Sequence, residues 1–472
     1  MRSFRKFLIL THRYLGIAVC LLFVMWFVSG IAMIFARGMP GLTSDVRFDH
    51  LPAVDFNKVK LSAAEAAEKA LLDRPPNRAT LLTLMDRPAF RFSVGRSSVT
   101  VFADTGDLLD EVGQPEAMKI AARFTNVPET QLHYAGEVME PDQWTLEERR
   151  ILPAHKITVD DAAHTTLYIS EASAEVSLLT TRGTRALAWV AAIPHWMYFA
   201  PLRQNGPVWR QVVMWTSGIA MILAMLGIAL GFTQYSTKYV GMMRWHYVTG
   251  VVFGLFSLTW VFSGLLSMEP FFWASDGGTG ERLPQVLRGG PLDLSNFPKF
   301  EAPAQKVKEL EFLRIQGEPY YVMRIDSAEP LLVSATSSQI RRELFSTESL
   351  MTRVKQGNSN IAIAESTLLS DYDGYYHPTE RKLPLPVLRV KFADPDATWF
   401  YIDPHMGSVV SRFTRRERLQ RWIYHGLHSL DFNFWYYQGP LWTAAMVTLN
   451  TGGSLLSVIG VIIAVKRVRR WL

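Results

Sequence analysis

Cysteine is nearly missing from this chain: Cys20 is the only one in 472 residues. That excludes a disulfide framework, C-x-x-C-H haem attachment and cysteine zinc sites. Glycine-rich phosphate loops, a GxSxG elbow and HExxH are missing too, and with them the usual marks of nucleotide, serine-hydrolase and zinc-protease chemistry. Acidic residues are absent from three short polar stretches, 1–13, 233–245 and 466–472. These hold ten basic residues: Arg2, Arg5, Lys6, Arg13, Lys238, Arg244, Lys466, Arg467, Arg469 and Arg470. The rest of the chain carries 39 basic against 43 acidic residues, so the positive excess behind a pI of about 9.2 is confined to those stretches. Such confinement is a topology signal, and nucleic acid is not an expected partner.

What is abundant is apolar sequence. Apolar residues make up 49% of the chain, with a mean hydropathy of +0.07, too oily for a soluble enzyme and too polar for an all-helical membrane protein. Four stretches are long enough to span a bilayer core of roughly 30 Å: 7–36, 208–232, 247–268 and 441–465. The first is too long for a signal peptide and lacks a cleavage site, so it reads as a permanent anchor. The positive-inside rule puts both termini and the 233–245 linker in the cytosol, and residues 37–207 and 269–440 outside. The expected division is helix 1 within 1–36, an outside domain over 37–207, helix 2 over 208–232, the linker over 233–245, helix 3 over 246–268, a second outside domain over 269–440, and helix 4 with a basic tail over 441–472.

An internal repeat organises these pieces. His12, Gly16, Leu21, Trp26, Ser29 and Gly30 recur 234 positions later as His246, Gly250, Leu255, Trp260, Ser263 and Gly264. Tyr168, Ile169, Val176, Arg182, Arg185, Trp189, His195, Phe199, Gly206, Pro207 and Trp209 recur at an offset of 233, as Tyr401, Ile402, Val409, Arg415, Arg418, Trp422, His428, Phe432, Gly439, Pro440 and Trp442. Both halves enter from the same side, so the chain reads as two tandem parallel repeats related by an axis along the membrane normal. The outside domains read as α+β. An alanine-rich helix is expected at Leu61–Leu72, strands at Phe90–Val94 and Val99–Phe102, a hairpin from Leu388–Phe392 and Thr398–Ile402, and similar segments around Tyr168 and Tyr320–Ile325. Each outside loop then holds two small helix-plus-hairpin units.

The eleven histidines fall into two groups. His50, His133, His155, His164, His377 and His405 lie in the outside domains without metal-ligand spacing, and read as solvated or turn residues. His12 and His246 lie near the cytosolic ends of helices 1 and 3; His195 and His428 precede helices 2 and 4 at the outer interface. One such histidine is usually an interfacial polar group, but two pairs related by a pseudo-twofold axis face each other. That arrangement can hold a planar cofactor from both sides, and iron porphyrin takes imidazole on opposite faces. His425 shares a helix face with His428 and cannot clasp the same group from the other side; either could be the outer ligand, and the repeat register favours His428. Arg13 and Arg244 inside, and Arg203, Arg210 and Arg421 outside, suit propionates, although topology and lipid headgroups are the stronger explanation for each. Zinc would need further ligands. Trp26 and Trp260 read first as packing residues and second as aids to electron tunnelling. Ser29-Gly30 and Ser263-Gly264 read as sites of close helix contact.

His12-Arg-Tyr-Leu-Gly16, Pro194-His-Trp-Met-Tyr198, the run from Arg244-Trp-His to Ser263-Gly-Leu-Leu-Ser-Met268, and Tyr424-His-Gly-Leu-His428 resemble the PepSY-associated transmembrane-helix family. The Leu61 helix and the Asp-Thr-Gly and Asp-Pro-His-Met-Gly turns look like PepSY units, and the resemblance covers almost the whole chain. It implies a Gram-negative inner-membrane protein with periplasmic PepSY-like domains, two haem b groups, and reduction of ferric siderophores or other ferric chelates at the periplasmic face. On that reading His12, His246, His195 and His428 ligate haem iron, and no catalytic residue is expected beyond the haems. About thirty cytosolic residues leave no room for a flavin or nicotinamide domain, so the electron donor would be a separate reductase, reduced flavin or quinol, with membrane lipid around the helices. Two further readings are a haem-free PepSY envelope sensor or protease regulator, and a metal permease. The permease lacks acidic residues inside helices 1, 2 and 4, with Glu269 the nearest candidate.

Overall fold

A computed structural model of the chain describes residues 2–36, 38–95, 97–234, 236–270, 279–280, 282–298, 300, 305–326, 329–358, 360–378, 382–432 and 439–470. Four helices are long and apolar enough to cross a membrane: Arg2–Phe35, Gly206–Thr233, Gly241–Leu266 and Pro440–Val468. The chain is therefore a multi-pass membrane protein of mixed α+β structure. Each helix begins before the apolar stretch read from the sequence, because helical hydrogen bonding propagates through a polar turn once a long segment is nucleated. The third starts within the expected 233–245 linker, which places His246 in its second turn. The second starts with Pro207 in its first turn and the Asn205 side chain accepting from the Val208 amide at 3.2 Å.

The first helix packs along the fourth and the second, and the third packs along the same two, so the four form a closed ring with the first and third diagonal. Small residues permit the approach. A Cβ on Gly452 would lie 2.3 Å from Phe253, and one on Gly453 2.7 Å from Phe27, so this pair in the fourth helix admits rings from the third and first. Phe23, Phe27 and Trp260 then fill the middle of the bundle.

The remaining chain forms three antiparallel sheets. Strands β4 (Leu132–Val138), β5 (Ala154–Val159), β6 (Thr166–Ser170) and β7 (Glu175–Thr180) make a meander in the first loop. Strands β12 (Ile363–Leu369), β13 (Val387–Phe392), β14 (Trp399–Asp403) and β15 (Ser408–Phe413) make one in the second. The third sheet draws on both loops. Its order is β11-β10-β9-β8-β1-β2-β3, with β1 (Arg78–Leu84), β2 (Arg87–Val94) and β3 (Ser97–Phe102) from the first, and β8 (Glu309–Ile315), β9 (Glu318–Arg324), β10 (Leu331–Ser334) and β11 (Ile340–Arg341) from the second. The seam is β1 against β8, in register from Ala79–Phe312 to Leu82–Glu309.

The expected strands are present, and the hairpin read at Leu388–Ile402 is the β13–β14 pair. Each loop divides between two sheets, in keeping with two units per loop, but at the seam one unit from each loop joins a single sheet. The helix expected over Leu61–Leu72 is shorter, Ala63–Lys69, and starts with a Ser62–Glu65 capping box. It packs over β2 and β3, and together with Phe297 and Phe300 it closes the core that buries Leu81, Phe90, Phe92, Phe312 and Tyr321.

Candidate functional site

Position in the ring explains why the first histidine pair forms. His12 and His246 lie on diagonal helices, and their ring centroids stand 6.3 Å apart at an interplanar angle of 42°. Each is seated by the next apolar helix along the chain. His12 Nδ1 donates to the Leu223 carbonyl at 3.3 Å, and a Cβ on Gly227 would come within 3.0 Å of its ring. For His246 the facing carbonyl is Leu456 and the adjacent glycine is Gly460, at 3.9 Å, although His246 Nδ1 is buried with no partner that meets hydrogen-bond geometry. Leu456 and Gly460 follow Leu223 and Gly227 by 233 positions.

Both rings border a cavity of about 740 Å³ among the four helices, within the roughly 300–1,000 Å³ range of small-molecule and cofactor sites. Its walls are largely apolar and bare of side chains at Gly16, Gly227, Gly250 and Gly460, while Arg13, Lys466, Arg467 and Arg470 add positive charge. Arg244, expected beside Arg13, is exposed and does not line it.

At the other end of the bundle, His195 and His428 have ring centroids 6.0 Å apart at 67°. His195 sits on the short helix Ala192–Trp196, and His428 on Leu427–Ser429. Both contact serines of the long helices: His195 Nδ1 is 3.1 Å from Ser29 Oγ, and His428 Nδ1 is 2.9 Å from Ser263 Oγ. Each serine hydroxyl donates to the carbonyl three residues before it, Trp26 at 3.1 Å and Trp260 at 3.0 Å. With its proton so used, the serine oxygen must accept from the imidazole. The tautomer at both histidines is therefore Nδ1–H, with the lone pair on Nε2. Burial holds His195 down at about 4; burial and the neighbouring His195 hold His428 down at about 3, so both imidazoles are neutral at ordinary pH. The loops carrying them are pinned alike: Trp209 Nε1 donates to the Trp196 carbonyl at 2.9 Å, and Trp442 Nε1 to the Ser429 carbonyl at 2.7 Å.

Ser29 and Ser263, read as sites of close helix contact, are buried and in addition bond the histidines, whereas a Cβ on Gly264 would meet nothing within 4 Å. Gly30 does serve close contact, because a Cβ there would lie 2.7 Å from Asn450 Oδ1. His425 stands apart from the pair, exposed, with its ring against Tyr424. The arginines expected at this end are otherwise engaged. Arg203 lies over the rings of Tyr198 and Trp209, Arg210 donates to the carbonyls of Met268 and Glu269, and Arg421 joins a buried cluster with His377 and Asp431. Two of the six domain histidines are buried rather than solvated: His155 bonds Tyr134 and the Val112 carbonyl, and His377 bonds Asp431 at 3.0 Å.

The donor sets suit a metal held between two imidazoles. A metal–imidazole bond of about 2.0–2.1 Å, plus about 1.1 Å from nitrogen to ring centre, puts two rings trans across one ion about 6 Å apart. Among the described residues no three His, Cys, Asp or Glu side chains converge as a metal site, so neither pair has a third side chain of these types beside it. Sequence reasoning found the four histidines through their recurrence and missed what seats them. The serines, the glycines at 227 and 460, and the leucines at 223 and 456 recur at the same offsets, which was the available signal. No protein-family model matches this chain, and no curated protein matches it in sequence.

Proposed function

We propose that this protein is a di-haem b transmembrane electron carrier that reduces ferric iron in a chelate, in the manner of a ferric-siderophore reductase. The observation that carries the reading is the His12–His246 pair, reaching from diagonal helices to a 6.3 Å separation beside a 740 Å³ glycine-lined cavity. His12 and His246 would hold the planar macrocycle, and the glycines at 16, 227, 250 and 460 would leave room for its faces. His195 and His428 would hold the second group, with Ser29 and Ser263 fixing their tautomer.

Haem bound between two imidazoles supplies one-electron chemistry and leaves no open iron position for oxygen. The chain's own part is to hold and separate the two groups. His12 and Ser29 are seventeen residues apart on one helix, or about 25 Å, so the two pairs serve opposite leaflets with Phe23, Phe27 and Trp260 packed between them. Around the cavity, Arg13, Arg467 and Arg470 are placed to neutralise propionates.

The same reading makes the chain two tandem parallel repeats in the bacterial inner membrane, termini in the cytosol and PepSY-like domains in the periplasm. The ten basic residues of the polar stretches support that orientation, and the matched roles of residues 233 or 234 positions apart support the repeat. The electron donor is then a cytosolic reductase, reduced flavin or quinol, and the acceptor a periplasmic ferric chelate. Purified protein from iron-replete cells should show reduced b-type bands and about two haems per chain. A colourless preparation overturns the proposal and favours an envelope sensor or protease-regulating binding protein.

A further inference from the structure

We infer that the seam of the seven-stranded sheet is a binding site for a small polyanion bearing carboxylate or phosphate groups. A cavity of about 310 Å³ opens where β1 of the first loop pairs with β8 of the second. Strand alternation explains its lining. Ala79 and Leu81 turn to the core beneath, so Arg78 and Thr80 of β1, Arg91 of β2, Glu309 of β8 and Arg324 of β9 share the opposite face. The helix Ser44–His50 adds Arg47 and Phe48 as a side wall.

The charges in this cavity do not balance. Arg47 bridges Glu175 at 2.9 Å and Glu309 at 3.0 Å, Arg91 bonds Glu175 and the Ser173 carbonyl, Arg78 reaches Glu311 at 2.9 Å, and Arg324 stands 3.9 Å from Glu309. Four guanidinium groups thus meet three carboxylates. The donors are further out of balance: a guanidinium has five N–H donors, yet the four together make five hydrogen bonds among the described residues. Arg91 Nε is buried without a partner. Arg78 and Arg324 keep part of their forks open to solvent beside the buried Arg91 Nε, so an oxyanion entering the cavity meets several planar forks with free donors. The volume lies at the lower end of the range for small-molecule sites, suited to a ligand of citrate's size. A ferric chelate with peripheral carboxylates meets the same requirement, but the site does not depend on haem.

Titration calorimetry of the full chain in nanodiscs, with citrate in one arm and inorganic phosphate in the other, tests this. At low salt at least one of the two should bind saturably and weaken steeply as salt rises, the better ligand showing which oxyanion is preferred. The double variant Arg78→Gln/Arg324→Gln removes the two least engaged guanidinium groups and should weaken binding about tenfold or more. Arg78→Lys, which keeps charge but loses the fork, should fall between and covers the case in which the double variant does not fold. Wild-type protein that binds neither anion, or variants that bind as wild type does, overturn the inference. Calorimetry reads binding whatever the haem content, so failure here leaves the redox proposal untouched, and the reverse.

Discussion

The two ends of the bundle hold their histidines by different means. At the end with the large cavity, both rings rise from long helices and rest on a neighbouring helix with a glycine beside them, and His12 has the Leu223 carbonyl as acceptor. At the other end, both rings come from short segments outside the long helices and lean in on serine hydroxyls. A ligand on a long helix is fixed by that helix and needs space made for it. A ligand on a short segment needs a tether. The first arrangement therefore depends on an absent side chain, and the second on a hydrogen bond.

Four experiments break or sharpen that contrast. On the di-haem proposal the largest effect should come from the histidines themselves: His246→Ala should remove one haem of two, and His428→Ala the other, as read by pyridine haemochrome per chain. Two haems retained in His246→Ala would dissolve the comparison. Next comes space. Gly227→Val puts branched carbons where a Cβ alone is 3.0 Å from His12, so it should deplete the cavity-end haem while sparing the other. Gly460→Ala, at an ordinary 3.9 Å from His246, should be nearly silent. The tethers follow. Ser29→Ala and Ser263→Ala should loosen metal binding at the domain end by about 10–100-fold, with a shifted midpoint potential there and none at the cavity end; equal shifts at both ends would count against separate support.

The smallest effect lies outside the bundle. Burial alone would raise the Glu175 carboxyl, but Arg91 and Arg47 outweigh it and hold it below the ordinary carboxylate value. A carboxyl lowered on folding contributes stability that is full above its unfolded pKa and is lost as pH falls through the folded one. Glu175→Gln should therefore cost about 1–3 kcal/mol near neutral pH, and the gap from wild type should close on acidification, as followed by thermal melts.

Much of this was legible in the sequence, for a specific reason. Bilayer thickness fixes helix length, and the recurring His, Trp, Ser and Gly positions mark which residues correspond, so the four helices and both histidine pairs could be placed without coordinates. What could not be read depends on long-range pairing. The β1–β8 seam joins residues some 230 positions apart, and either strand would serve equally well at the edge of its own meander. The arginines failed for a related reason. A guanidinium on a long stem has many partners within reach, and only the fold shows that Arg210 caps the third apolar helix while Arg467 and Arg470 line the cavity. His377 was misread because Asp431, which makes its burial affordable, lies 54 positions away.

The shared sheet has a mechanical consequence. The first helix lies along the fourth and the second along the third, so the halves already interlock within the helix bundle, and β1 against β8 clasps them again outside it. A chain cut at the short connection between the second and third helices, residues 236–240, should stay in one piece: two fragments expressed from separate messages should find each other and copurify.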